Sequence, residues 1–165
     1  MLRLPFLDIF LRLIPEGLIY CWACYVFSKT PFDKKRWLLT GVILGFSIYV
    51  IRLLPIHFGV HTILLIIILI FLSVTINRIK TTKVIPICLV VVSSMYLFEW
   101  LNLYILQNWF NIHISKIVEM ENLILKNIYL YPSLLFLLIT IAIGNVLINK
   151  FNERIKKHVS DGESF

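Results

Sequence analysis

The sequence predicts an all-α integral membrane protein with about five transmembrane helices and an extracellular amphipathic helix. Composition gives the first indication: hydrophobic residues make up 59% of the 165 residues, charged residues only 15%, and the mean hydropathy is +0.89. Soluble domains are about 45–50% apolar and about 25% charged. A small soluble core cannot bury such an excess. Two further observations, the length of the apolar runs and the placement of the cations between them, point the same way.

Five apolar stretches approach the length of about 20 residues that a spanning helix needs. They lie at residues 8–28, 37–54, 59–77, 84–106 and 131–149. Pro31 and its neighbouring charges end the first stretch, and Pro55 ends the second. We therefore predict one transmembrane helical domain over residues 1–150, followed by a polar cytoplasmic tail over residues 151–165.

The distribution of Lys and Arg predicts the orientation in the membrane. With five crossings, eleven of these residues fall on one side and three on the other. Cytoplasmic connectors carry the excess of positive charge. We therefore expect a cell-membrane protein with its N-terminus outside and its C-terminus in the cytoplasm. The net charge of +7 then reflects orientation and contact with anionic lipid, so no nucleic-acid partner is expected.

The stretch at 107–130, between the last two spans, is not a plain loop. Its apolar residues recur at helical spacing, with polar residues between them: Ile114, Ile117, Val118, Ile124, Leu125 and Ile128. This pattern is typical of an amphipathic helix lying on the outer surface of the membrane. The alternative is an extracellular helix that packs between two spans.

Six ionisable residues fall in the outer half of the membrane in this topology. They are Arg12, Glu16, Arg52, His57, His61 and Glu99. Each intramembrane charge costs about 2.5–3.5 kcal/mol on insertion scales, so such residues are candidates for function. They could line a pocket in which guanidinium groups bind the carboxylate of a small molecule or peptide. They could instead form a buried ion-pair network that fixes helix packing, and the charges alone do not separate the two hypotheses.

A metal site is a weaker interpretation of the same residues. His57, His61 and Glu99 could supply a His/His/Glu set of the kind that binds zinc. The two histidines are separated by Phe58-Gly59-Val60, so the His-Glu-x-x-His motif is missing. We therefore expect no metal and no cofactor.

Two short motifs in the spans are better explained by packing than by chemistry. Cys21-x-x-Cys24 matches a redox string, but it lies late in a span rather than at the helix N-terminus that lowers a thiol pKa. Gly41-x-x-x-Gly45 allows close contact between helices. There is no phosphate-binding loop or nucleophile elbow in the sequence, so an enzyme is not expected.

Two strings carry a family resemblance. Residues 11–17 read LRLIPEG and residues 51–62 read IRLLPIHFGVHT. They resemble the N-terminal membrane region of GHKL-type sensor histidine kinases of clostridia and related bacteria. The resemblance implies a membrane part that receives an extracellular signal, often a peptide. Only fifteen residues follow Lys150, so we expect a stand-alone sensor-like module without the kinase part.

These observations favour a multi-pass membrane sensor or regulatory module. It would recognise an extracellular small molecule or peptide and signal to a partner protein in the cytoplasm or the membrane. The alternative is a substrate-binding membrane subunit of a transporter. The lipid bilayer is the one partner that the composition itself predicts.

Overall fold

The computed structural model describes residues 9–55, 58–110 and 123–162, and every regular element in these ranges is a helix. A π-helical turn, Ile9–Leu13, leads directly into the first α-helix. The helices are α1, Ile14–Ser28; α2, Lys34–Leu53; α3, Phe58–Thr75; α4, Thr81–Asn108; and α5, Leu123–Gly162.

Four of the helical segments are long and apolar enough to cross a membrane: Phe10–Ser28, Lys34–Leu53, Thr81–Asn108 and Asn127–Lys150. A shorter apolar helix, Gly59–Thr75, lies in the third predicted span. Large apolar side chains such as Phe71, Val90 and Leu97 are exposed on the outside of the bundle, where lipid removes the cost of exposing them to water. The predicted fold class, an all-α multi-pass membrane protein, is confirmed.

The region around the predicted amphipathic helix is described in part. Residues 107–108 close α4 and residues 123–130 open α5, whereas residues 111–122 lie outside the described residues. The predicted surface helix therefore remains a prediction over its central part. At the other end, α5 continues through the predicted domain boundary at residue 150 as far as Gly162.

The bundle is arranged around α1. This helix contacts each of the other four, whereas α2, α3, α4 and α5 make extensive contacts with one another only in chain order across the described residues. The four outer helices thus form a ring around α1 that is open between α2 and α5. Buried residues of α1, among them Tyr20, Ala23 and Cys24, form the centre of the core.

Glycines bring α1 and α2 into close contact. A Cβ atom at Gly17 would lie 2.6 Å from the carbonyl oxygen of Gly41, and one at Gly45 would lie 2.9 Å from the Cα atom of Ile14. The Gly41-x-x-x-Gly45 motif therefore serves a contact within the chain. The missing side chains allow two backbones to touch, as small residues do in membrane helix pairs.

The connectors at one end of the bundle are held by local hydrogen bonds. The Asp33 carboxylate caps α2 by accepting from the backbone N–H groups of Lys35 and Arg36, at 3.0 and 3.3 Å. The α1–α2 and α3–α4 connectors lie at this same end, because Tyr25 near the end of α1 donates to Asn77 just after α3. This placement agrees with the alternation of spans predicted from the sequence.

Candidate functional site: a charged cluster at one end of α1

Four of the predicted residues come together as two ion pairs. Arg12, in the π-helical turn, pairs with Glu99 of α4. Glu16, in α1, pairs with Arg52 of α2, with Arg52 Nη2 lying 3.4 Å from Glu16 Oε2. We refer to Arg12, Glu16, Arg52 and Glu99 as the charged cluster. It joins α1 to α2 and the π-helical turn to α4.

The depth of the four side chains differs. Glu16 is 3% exposed and Arg12 13%, whereas Glu99 and Arg52 are 26% and 33% exposed. Each deeply placed charge is therefore paired with a charge that lies nearer to the surface. Burying a charge is tolerated when a partner of opposite sign accompanies it, and the cluster as a whole is neutral.

Tyr20 adds a further contact to Glu16. Its hydroxyl donates to Glu16 Oε1 at 2.9 Å and is fully buried. The two residues are four positions apart in α1, which places them on one helix face. Tyr20 was not among the predicted residues, although the i,i+4 spacing of a phenol and a carboxylate in an apolar span was available as a signal.

The π-helical turn sets the position of Arg12. A π-turn contains one residue more than an α-turn, and such turns are frequent at functional sites. The hydroxyl of Tyr131, in α5, donates to the backbone carbonyl of Leu11 within this turn. Arg12 Nε is buried and has no hydrogen-bond partner among the described residues, so the guanidinium keeps an unused donor.

The two histidines of the predicted site are described unequally. His61 lies in the first turns of α3 and is half-buried, whereas His57 lies outside the described residues. The His57, His61 and Glu99 set, which was the weaker interpretation, is therefore not tested. Within the described ranges, no group of three or more potential metal-ligating side chains could hold a metal ion.

Polar contacts at the opposite end of α1 were not predicted. The Asn77 side-chain oxygen accepts hydrogen bonds from Tyr25 and Thr40, at 3.1 and 2.8 Å. Lys83 of α4 donates to the backbone carbonyl of Ser28 at 3.0 Å. A cation at this position interacts favourably with the C-terminal carbonyls and the dipole of α1.

The three cysteines are free and buried. Cys24 faces Cys88 of α4, with the two sulfur atoms 3.9 Å apart. The Cys21-x-x-Cys24 string is thus part of the helix interface, in agreement with the packing role that its position in a span favoured.

The charged cluster has the groups needed to bind a charged ligand in exchange for one of its own ion-pair partners. It offers guanidinium donors and carboxylate acceptors, and its two outer members reach the surface. A ligand with a carboxylate or an ammonium group could take the place of either partner in an ion pair. Comparisons of the chain with protein-family models, with curated proteins and with solved structures gave no match.

Proposed function

We propose that the protein is a multi-pass membrane sensor or regulatory module in which the charged cluster receives an extracellular ligand. One observation carries this proposal. The central helix α1 and its π-turn hold two ion pairs at one end, and α1 is hydrogen-bonded near the basic connectors at the other. A change at the cluster can therefore move a helix that contacts each of the other described helices.

The ligand in this proposal carries a carboxylate, as a small acid or a peptide end does. Arg52 is one-third exposed and its contact with Glu16 is long, at 3.4 Å. An incoming carboxylate can form a bidentate pair with the guanidinium group. Glu16 would then lose its partner while almost fully buried, and α1 would have to shift to restore pairing. A ligand that stabilises the shifted state changes the population of the two states.

The output end lies about 24 Å along α1 from Arg12, at 1.5 Å per residue over the 16 positions to Ser28. There, Tyr25 contacts Asn77 and Ser28 contacts Lys83. A displacement of α1 would change the presentation of the two basic connectors. We propose that a partner protein in the cytoplasm or the membrane detects this change. The resemblance to the membrane region of sensor histidine kinases supports the same direction of signalling.

We further propose that the protein lies in the cell membrane with the charged cluster facing outward. The basic α1–α2 and α3–α4 connectors share the opposite end of the bundle, and the positive-inside rule places such connectors in the cytoplasm. Reporter fusions at residues 30 and 80 should both report a cytoplasmic position, and a fusion at residue 110 an external one. Fusions at 30 and 80 that report opposite sides would overturn the orientation.

A deletion strain tests the sensing function. Cells lacking the protein, and cells complemented with wild type, Arg52→Gln or Lys150→Gln, are exposed to the small-molecule and peptide fraction of spent culture medium, and their transcripts are measured. We expect the response to require the wild-type protein and to be lost in Arg52→Gln. Lys150→Gln, which removes an exposed charge of α5 outside both the cluster and the two connectors, should restore it.

The same strains separate sensing from transport. Uptake of labelled amino acids and peptides should be unchanged by the deletion if the protein is a sensor. Loss of uptake, with recovery of an ATPase on pull-down of the tagged protein, would replace the proposal with the substrate-binding subunit of a transporter. No transcriptional difference between deletion and wild type would also overturn the sensing function.

A further inference from the structure

We propose that a groove at the end of the bundle opposite the charged cluster binds the headgroup of an anionic phospholipid. The groove has a volume of about 570 Å³ and lies between the end of α1, the α1–α2 connector and α5. Its lining residues are Trp22, Tyr25, Val26, Lys29, Thr30, Pro31, Phe32, Asn145 and Asn149. It shares no residue with the charged cluster, so the inference is independent of the proposed function.

The position of the groove follows from the open side of the ring. Since α2 and α5 make no extensive contact across the described residues, the face of α1 between them is only partly covered. Trp22 and Val26 on that face are half-buried, and Lys29 follows at the exposed end of the helix. The four-residue spacing keeps Trp22 and Val26 in line, and Lys29 caps the helix just beyond them. An apolar strip on the surface of α1 therefore leads from the bilayer to the Lys29 ammonium group.

The chemistry of the lining suits a phospholipid headgroup. Lys29 supplies a positive charge, and Thr30, Asn145 and Asn149 supply hydroxyl and amide groups around it. Asn149 donates to Asn145 at 3.4 Å, which holds the two amides together on one face of α5. Basic pockets between helices on the cytoplasmic side are typical sites for anionic lipid headgroups.

The aromatic residues suit the same ligand. Trp22, Tyr25 and Phe32 line the wall of the groove, and Phe32 packs edge-on against Tyr25 with ring centroids 5.3 Å apart. Amphipathic aromatic rings favour the level of the headgroups and glycerol backbone. Below them, the acyl chains would lie along the partly covered face of α1.

Two other surface grooves lack this combination. One is lined by Val42, Ile43, Phe46, Ser47, Val50, Ile51 and Ile68, and the other by Leu89, Val90, Ser93, Ser94, Leu97 and Phe98. Neither contains a charged residue, and serine is the only polar type in both. They suit acyl chains of any lipid, whereas the groove at Lys29 can select for charge.

Lipid retention tests the proposal. The full chain is reconstituted in vesicles of equal parts phosphatidylglycerol and phosphatidylcholine, extracted in mild detergent, and the retained lipids are quantified by mass spectrometry. We expect phosphatidylglycerol to be enriched over phosphatidylcholine. Lys29→Gln should lower that enrichment about fivefold, because one lysine near anionic lipid contributes a factor of this order.

Two control variants keep the result specific. Lys29→Arg retains the charge and should retain the enrichment. Lys35→Gln removes an exposed lysine near the start of α2 that does not line the groove, and it should leave the enrichment unchanged. An equal loss in Lys35→Gln and Lys29→Gln would show that the basic end as a whole attracts lipid, and it would overturn the site.

A second measurement follows the groove directly. The emission of Trp22 is obtained by subtracting the fluorescence of Trp22→Phe from that of the wild type. Phosphatidylglycerol with brominated acyl chains should quench this emission more than brominated phosphatidylcholine does at matched content. Equal quenching by the two lipids would contradict the proposal. Glycerol phosphate in the millimolar range should not displace the retained lipid, and displacement would identify a soluble phosphate compound as the occupant instead.

Discussion

Gly17 of α1 lies against Gly41 of α2 so closely that a Cβ atom at residue 17 would be 2.6 Å from the Gly41 carbonyl oxygen. That atom belongs to the backbone and cannot rotate away. The α1–α2 contact therefore depends on the missing side chain. Since α1 is the central helix, a change at this contact would reach the whole bundle.

Gly17→Ala should destabilise the fold by about 2 kcal/mol or more, because overpacking against a backbone forces the helices apart. Thermal unfolding in detergent measures the effect. Gly59→Ala provides the matched control, since a Cβ atom at Gly59 would meet nothing within 4 Å. It should leave the unfolding temperature nearly unchanged. Equal effects of the two substitutions would contradict the close crossing.

The pairing of Arg12 with Glu99 predicts coupled effects on stability. Arg12→Gln and Glu99→Gln should each lower the free energy of unfolding by roughly 2–4 kcal/mol, because each leaves a largely buried charge without its partner. The double variant should be more stable than the sum of the single effects implies, by about 1–3 kcal/mol. A double-mutant cycle measured by denaturant unfolding gives this coupling. Strict additivity would show that the two side chains do not interact.

The hydrogen bonds to Asn77 predict a graded series. Asn77→Ala removes the acceptor of two buried hydroxyl groups and should cost about 2 kcal/mol, whereas Tyr25→Phe or Thr40→Val should cost about 1 kcal/mol each. Ser47→Ala is the control, since the hydroxyl of Ser47 makes an exposed hydrogen bond within its own helix. It should change stability by less than about 0.5 kcal/mol. A Tyr25→Phe effect no larger than that of Ser47→Ala would contradict the contact.

The proximity of Cys24 to Cys88 predicts selective oxidation. A membrane-permeant oxidant should remove one hydrogen from each thiol and join the two sulfur atoms, because they start 3.9 Å apart. Mass spectrometry of alkylated peptides should then find Cys21 still free. Cys88→Ala should abolish the link and Cys21→Ala should preserve it. A link of Cys88 to Cys21 in place of Cys24 would contradict the contact between Cys24 and Cys88.

The apolar helices and the placement of the charged cluster at one end of the bundle were predictable, because both follow from apolar length and from the alternation of basic connectors. Arg52 and Glu99 each belong to one of the two ion pairs at that end, as the predicted topology required. His57 was grouped with them and lies outside the described residues.

The identity of the partners was not predictable. Either arginine could have paired with either carboxylate, and the choice depends on how α1 is rotated between α2 and α4. That rotation is set by the glycine contact at Gly17 and by the π-helical turn before Ile14. Neither feature can be predicted from the spacing of the charged residues in the sequence. Asn77 was missed for a similar reason, because an amide at the end of an apolar run becomes informative only when its neighbours are known.

The central position of α1 has a consequence for assembly during synthesis. Arg52 is synthesised 36 residues after its partner Glu16, and Glu99 is synthesised 87 residues after its partner Arg12. Until then, the least hydrophobic of the four long segments, Phe10–Ser28, must hold Arg12 and Glu16 without the partners that they have in the fold. The contacts of this helix are therefore complete only when α4 has been made, although it is the first of the described helices to be synthesised.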